Sequence, residues 1–381
     1  MSKKKTKKSS ENDLKSFKLN YLQFKVKVFL ILKILTCNFY TERKFSLAKK
    51  IICPGIVGFT VISTTSKVPY SLMNTEIFTK TSNVLMIFGL SQIFSKVTAV
   101  SVYGKKIEKL VSWFGEVEEE ELWSILAVSA GNRLQKTLFY AKMAIMCTST
   151  LFFVTITLMA SYYFMSDSLL FWTPFKSRNF EFFIQFFFLY LLIVFLIVVE
   201  SLLLILGFFF VCIINVFLDA VRMLDDEACV RTSGGIMRKF YSQHLKILEK
   251  LCDLQEVFRG IQTCQVASNL LIIVGTLYMM QIYPHGFVNH IIFLNIVAQF
   301  FTICLFGEFI HSKTEQIFTA LYLTRWYEMK KDDQMILLMM MKKTQKPVSL
   351  KIAGMYEINM QTFVSVMRLS FSFCALLYAL D

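Results

Sequence analysis

Four histidines, nine cysteines and a few charges set inside apolar stretches are the residues of this chain that could do chemistry. His244, His285, His290 and His311 are scattered, without the spacing of a metal site or a base beside a nucleophile. The enzyme class therefore has nothing to stand on, and no cofactor or metal is implied. Cys37, Cys53, Cys147, Cys212, Cys229, Cys252, Cys264, Cys304 and Cys374 contain no C-x-x-C spacing. They read as small buried hydrophobes and reduced thiols. Glu200 is the only charge between Phe182 and Leu218, and Arg368 interrupts an otherwise apolar segment near the C-terminal end. In lipid at mid-membrane such an arginine costs ~2.5–3.5 kcal/mol, so Arg368 either faces water or pairs with an acid such as Glu357. Around it, Leu369, Phe373, Leu376 and Leu380 recur at steps of four, three and four, a single helical face.

The elements that must position these residues are membrane helices. Hydrophobic residues make up 55% of the chain, Phe supplies 39 residues and only 18% are charged, too much apolar surface for a protein in water. The apolar residues are bunched in runs near the ~20 residues that cross a bilayer. Spans are expected at 51–71, 79–101, 138–164, 183–212, 263–282, 291–310 and 359–380, with an amphipathic inner-surface helix over 21–40. The net charge of +14 lies largely before residue 51 and in the stretches 104–136, 222–259 and 312–351. That bias predicts a cytosolic N-terminus and an extracellular C-terminus, and argues against nucleic acid as a partner. Lys25, Lys27 and Lys33 interrupt the first apolar stretch, so no secretory signal is expected.

The fold class that follows is an all-α membrane protein of seven spans with a cytosolic helical anchor bundle. It divides into a basic N-terminus over 1–50, spans one to four over 51–218 and a cytosolic helical segment over 219–262. Spans five and six follow over 263–310, anchor helices over 311–358 and the last span over 359–381. The fourth apolar run is long enough as a helix, about 55 Å, to overshoot the bilayer and bury its inner end against protein. Leu245, Leu248, Leu251, Leu254, Val257 and Ile261 form a stripe suited to receive it. A transporter is disfavoured because neither an inverted repeat nor paired membrane charges are visible.

The C-terminal third resembles the signature region of insect odorant receptors. The resemblance rests on Phe306-Gly307-Glu308, Ala320-Leu321-Tyr322, Trp326-Tyr327, Gln345-Lys346-Pro347, Ala353-Gly354, Thr362-Phe363 and Ser370-Phe371-Ser372-Phe373, in that order. The segment from Gln243 to Phe258 is also similar, so the likeness covers roughly 240–380. The long insertion of the family's co-receptor between spans four and five is missing, which points to a tuning receptor. The alternatives are a gustatory-type receptor channel, whose usual C-terminal motif is not matched, and a seven-helix G-protein-coupled chemoreceptor. The latter has the opposite charge bias and usually an outer disulfide.

The resemblance implies a ligand-gated, non-selective cation channel subunit in the plasma membrane of an olfactory neuron dendrite. Its partners would be the co-receptor, in a heterotetramer, the lipid bilayer and a small volatile odorant. By alignment on Phe363 the gate falls on Leu376 and Leu380, with Leu369, Phe373 and Arg368 lining the pore. A ring of such leucines can close a pore by dewetting, and packing against lipid or neighbouring spans is the alternative use of this face. By the same analogy the ligand lies in the outer half of spans two to six. Ile87, Phe88, Ser91, Thr155, Met159, Tyr162, Phe187, Tyr190, Thr276, Met279 and Phe293 are the candidate contacts. Such walls suit an apolar molecule, with a hydroxyl or two to orient a polar group.

Overall fold

The computed structural model describes residues 54–65, 77–119, 127–165, 178–224, 236–283 and 286–380, with the isolated positions 26, 30 and 52. Apart from positions 26 and 30, the inner-surface helix expected over 21–40 lies outside the described residues.

The described chain is almost wholly helical. The helices are α1 (Pro54–Thr65), α2 (Ile77–Glu119), α3 (Ala127–Met165), α4 (Arg178–Met223), α5 (Ile236–Ile282), α6 (Phe287–Tyr322), α7 (Lys331–Thr344) and α8 (Met360–Leu380). Among the described residues α2 to α6 are long and apolar enough to cross a membrane, while α1 and α8 are shorter apolar helices. With 21 residues, α8 reaches about 31 Å, the thickness of the hydrocarbon core.

Several helices outrun their apolar stretches. α5 has 47 residues and reaches about 70 Å, so the stripe over 245–261 and the apolar run over 263–282 are one continuous rod. α6 likewise carries 291–310 on to Tyr322 without a break. α4 lies at the centre of the core, with Val199, Leu202, Leu206, Phe210, Ile214 and Phe217 all buried. Its inner end meets the first half of α5: Phe217 lies 6.2 Å from the Phe240 ring and stacks on His244 at 5.8 Å. Trp113, near the end of α2, stacks on Phe210 at 6.0 Å. On α5 the centre of the buried face is taken by His244, Ile247, Leu251, Leu254, Val257, Phe258 and Ile261, with Leu245 and Leu248 at its half-buried edges.

Between α7 and α8 stands an element that periodicity did not suggest, a two-stranded antiparallel hairpin of β1 (Lys351–Ile352) and β2 (Tyr356–Glu357). Its turn is made by Ala353 and Gly354, with φ of 51° and 79°, the left-handed region that a tight hairpin needs. Thr263 Oγ1 on α5 accepts from the Ala353 N–H at 2.9 Å, which ties the turn to the bundle.

Candidate functional site

Charge inside the apolar bundle is dealt with by pairing. Lys96 on α2 is 1% exposed, and its ammonium donates to the Glu200 carboxylate on α4. Glu200 Oε1 also accepts from Gln299 Nε2 on α6 at 2.7 Å and from Gln265 Nε2 on α5 at 3.2 Å. Gln92 Nε2, one turn from Lys96, donates to Gln299 Oε1 and to Asn269 Oδ1, each at 3.4 Å. Four helices thus share one polar knot, and each donor offsets part of the cost of taking the carboxylate out of water. The pair corrects the expectation that this chain holds no paired membrane charges. A lone lysine in an apolar run has no visible partner in sequence, because Glu200 is 104 residues away.

Beside the knot lies a cavity of about 190 Å³ bounded by α2, α3, α4, α5 and α6. Most of its wall is aliphatic, including Leu85, Met86, Leu189, Ile193, Ile272 and Ile296. Thr155, Met159, Thr276 and Met279, four of the residues expected to touch a ligand, line it. Ile87, Phe88 and Ser91 do not. The lining residues of α2 are Leu85, Met86, Gly89, Leu90, Gln92 and Ile93, the other face of the same helix. Tyr162 packs edge-on against Tyr163, and Phe293 packs on the core beside the lining residues Ile292 and Ile296. Phe187 and Tyr190 are exposed on the outside of α4, while Leu189, Leu192, Ile193 and Leu196 turn inward.

Besides the Thr155 and Thr276 hydroxyls, the polar part of the wall consists of amides. Asn289, Asn295 and Gln299 follow one another along α6, and Gln92 faces them from α2. Asn295 Nδ2 donates to Thr155 Oγ1 at 3.0 Å. The hydroxyls expected to orient a ligand donate to their own helices: Ser91 to the Phe88 carbonyl, Thr155 to Leu151 and Thr276 to Ile272. Three amides within eleven residues of an apolar span were the available signal, since polar groups at that depth are costly unless used. Gln299 and Asn295 also line a smaller cavity of about 50 Å³ that includes Glu200, Gln262 and Gln265.

α8 packs on α5 and α6. Ser370 and Cys374 are buried, and Cys374 Sγ lies 3.4 Å from Gln281 Oε1. Phe363 meets Phe300 and Phe301, each at 5.5 Å. The opposite side leaves Leu369, Phe373 and Leu376 exposed on the single chain. Leu380 belongs to the helix, but its side chain is not among those described. Arg368 is exposed, and no ion pair joins it to Glu357 among the described residues. Glu357 instead accepts from the Ser349 hydroxyl at 2.7 Å.

Comparison with known proteins agrees with this architecture. Residues 77–371 match the family described as 7tm Odorant receptor. The chain is 34% identical over 88 residues to Odorant receptor 33b of Drosophila melanogaster, covering 23% of each chain. It is 29% identical over 166 residues to Odorant receptor 2a of the same fly, 43% of this chain and 38% of that one. To Odorant receptor Or1 of Anopheles gambiae it is 24% identical over 148 residues, covering 36% and 34%. The alignments therefore span between about a quarter and two fifths of these relatives' length. In fold, the chain is similar to the olfactory receptor OR5 of Machilis hrabei, with a TM-score of 0.75 at 13% identity over 95% of this chain and all of that one. The same receptor in complex with eugenol matches with a TM-score of 0.73 at 14% identity, with the same coverage.

Proposed function

Because the chain belongs to the insect odorant receptor family, we propose that it is an odorant-opened, non-selective cation channel subunit. It takes a small, volatile, mostly apolar molecule into the cavity among α2 to α6. The observation that carries this reading is the cavity itself: about 190 Å³, walled mainly by aliphatic side chains and shared by five helices. Burial of apolar surface at ~25 cal/mol per Å² supplies affinity there without any charge on the ligand.

In this reading α1 to α6 and α8 are the seven spans, with the N-terminus in the cytosol of a plasma membrane. Four subunits, some of them the family co-receptor, surround a pore lined by α8. Leu376 and Leu380 form the gate, with Leu369, Phe373 and Arg368 along the wall. The exposed apolar face of α8 suits that position. Coupling has a short route. α5 and α6 hold the cavity residues Thr276, Met279, Asn295 and Gln299, and the same two helices carry the contacts of α8. A ligand that binds more tightly when these helices shift favours the open state by that difference alone.

Whole-cell recording tests this in cells expressing the chain with and without the co-receptor, challenged with volatiles. Odour-evoked cation current within milliseconds and without a G protein is expected. A second-messenger response in its place would sink the channel reading. Leu376→Ser should raise the ligand-free current, and an unchanged basal current would remove Leu376 from the gate.

A further inference from the structure

The polar knot leaves one oxygen of its buried ion pair without a donor. Lys96, Gln265 and Gln299 all donate to Oε1 of Glu200. Oε2 takes no donor among the described residues, yet packing does not seal it, and the side chain keeps 11% of its surface open. A carboxylate oxygen held away from bulk water and left undonated retains much of the desolvation cost of its charge. The space that Glu200 borders is the smaller cavity of about 50 Å³. Some 10–15 Å³ is enough for one water, so there is room for a molecule of one to a few heavy atoms.

This cavity lies end to end with the larger one. On α4 its residues Leu203 and Leu204 follow Leu196 of the larger cavity, and on α3 Thr148 and Leu151 precede Thr155. Phe152, Asn295 and Gln299 belong to both walls and form the partition. Most donors on the small wall are already committed. Thr148 and Thr302 donate to the Ala144 and Ala298 carbonyls, at 2.9 and 2.8 Å. The amide nitrogens of Gln265 and Gln299 serve Glu200, and that of Asn295 serves Thr155. The side-chain carbonyl oxygens of Gln265 and Asn295 take no donor among the described residues. The wall therefore asks for a molecule that donates.

We propose that the smaller cavity is a second binding site, for a small neutral molecule bearing an O–H that donates to Glu200 Oε2. A metal cation is the rival on a wall of acceptors, and charge disfavours it. Lys96 already balances Glu200, and no second acid lines the cavity, so a bound cation would leave a net positive charge inside an apolar bundle. An O–H supplies the donor without the charge. Water and a one- or two-carbon alcohol offer the same chemistry, and the volume admits either. The occupant completes the hydrogen bonding of the carboxylate around which four helices meet.

A single-particle structure of the full chain, at a resolution that shows ordered water, tests this in plain aqueous buffer and in buffer containing methanol. A density peak ~2.5–3.0 Å from Glu200 Oε2 is expected. A peak already present in plain buffer identifies the occupant as water, whereas one that appears only with methanol identifies it as the alcohol. Ala298→Leu fills the smaller cavity from a position that does not line the larger one, and the peak should be lost. Thr302→Leu serves the same purpose if that variant does not fold. A cavity empty in both buffers would overturn the proposal. So would a peak that survives in a folded filled variant, or one ringed by about five or more oxygens at ~2.3–2.6 Å, which marks a metal ion.

Discussion

Lys96 and Glu200 illustrate how few residues decide whether a membrane bundle holds one arrangement. Neither charge is stable alone in an apolar interior, and together they are tolerated only because Gln265 and Gln299 also donate to the carboxylate. Removing one partner should be worse than removing both. Lys96→Met is expected to cost ~3–5 kcal/mol, because it strands a buried carboxylate. Adding Glu200→Gln should recover much of that loss. Thermal unfolding of detergent-solubilised protein reads both variants, and a double variant no more stable than the single would refute the account. At this scale the sequence was only partly legible. Glu200 stands out as a lone charge, whereas Lys96 resembles any lysine until the fold sets it against an acid. Likewise Ser91 and Thr276 look available as ligand contacts, yet a helical hydroxyl usually satisfies itself on the carbonyl three or four residues back, as both do.

The Phe306-Gly307-Glu308 run shows why a short motif can govern an element. Phe306 lies over Gly207 of α4, where a Cβ would fall 1.7 Å from its ring. Gly307 lets the Ile358 carbonyl approach so closely that a Cβ there would lie 2.0 Å from its oxygen. Glu308 Oε2 accepts from the Met360 N–H at 3.3 Å, at the first residue of α8. Phe306 thus locks α6 onto α4, while Gly307 and Glu308 position the start of the helix assigned to the pore. Gly307→Ala must push the Ile358 backbone away, and a cost of ~1–3 kcal/mol is expected, with altered gating in any channels that reach the surface. Asn359 caps the same helix, accepting from the Thr362 N–H at 2.8 Å. Asn359→Ala should cost ~0.5–2 kcal/mol in the same unfolding assay, and no change would show that the cap is idle. Hydropathy located the apolar part of each helix but divided α5 and α6 where their apolar runs give way to mixed sequence. Backbone hydrogen bonding continues through that boundary, so the true elements are longer.

Over the whole molecule, two groups among the exposed apolar side chains of the described residues bear on assembly. One is the α8 face with Leu369, Phe373 and Leu376. The other is the anchor, where Tyr322, Leu323, Tyr327, Met335 and Leu338 are exposed. In the proposed topology the second group lies outside lipid, where surface of this kind is what a protein interface would use. Tyr327→Glu combined with Leu338→Glu should reduce co-purification with the co-receptor several-fold while leaving thermal unfolding of the isolated chain unchanged. Unaltered co-purification would move the interface elsewhere. Composition and the clustering of apolar residues were sufficient, alone, to determine a multispanning helical membrane protein, because burying that much apolar surface needs lipid. The ordered motifs after residue 300 carried the family, and several of them constrain a local contact: a close approach at Gly307, a turn at Ala353-Gly354 and a cap at Thr362. Only the tertiary structure decided which face of each helix turns toward the cavity. In a bundle surrounded by lipid both faces are apolar, so periodicity loses its contrast, and neighbouring helices select Gln92 and Asn289 in place of Phe88 and Phe293.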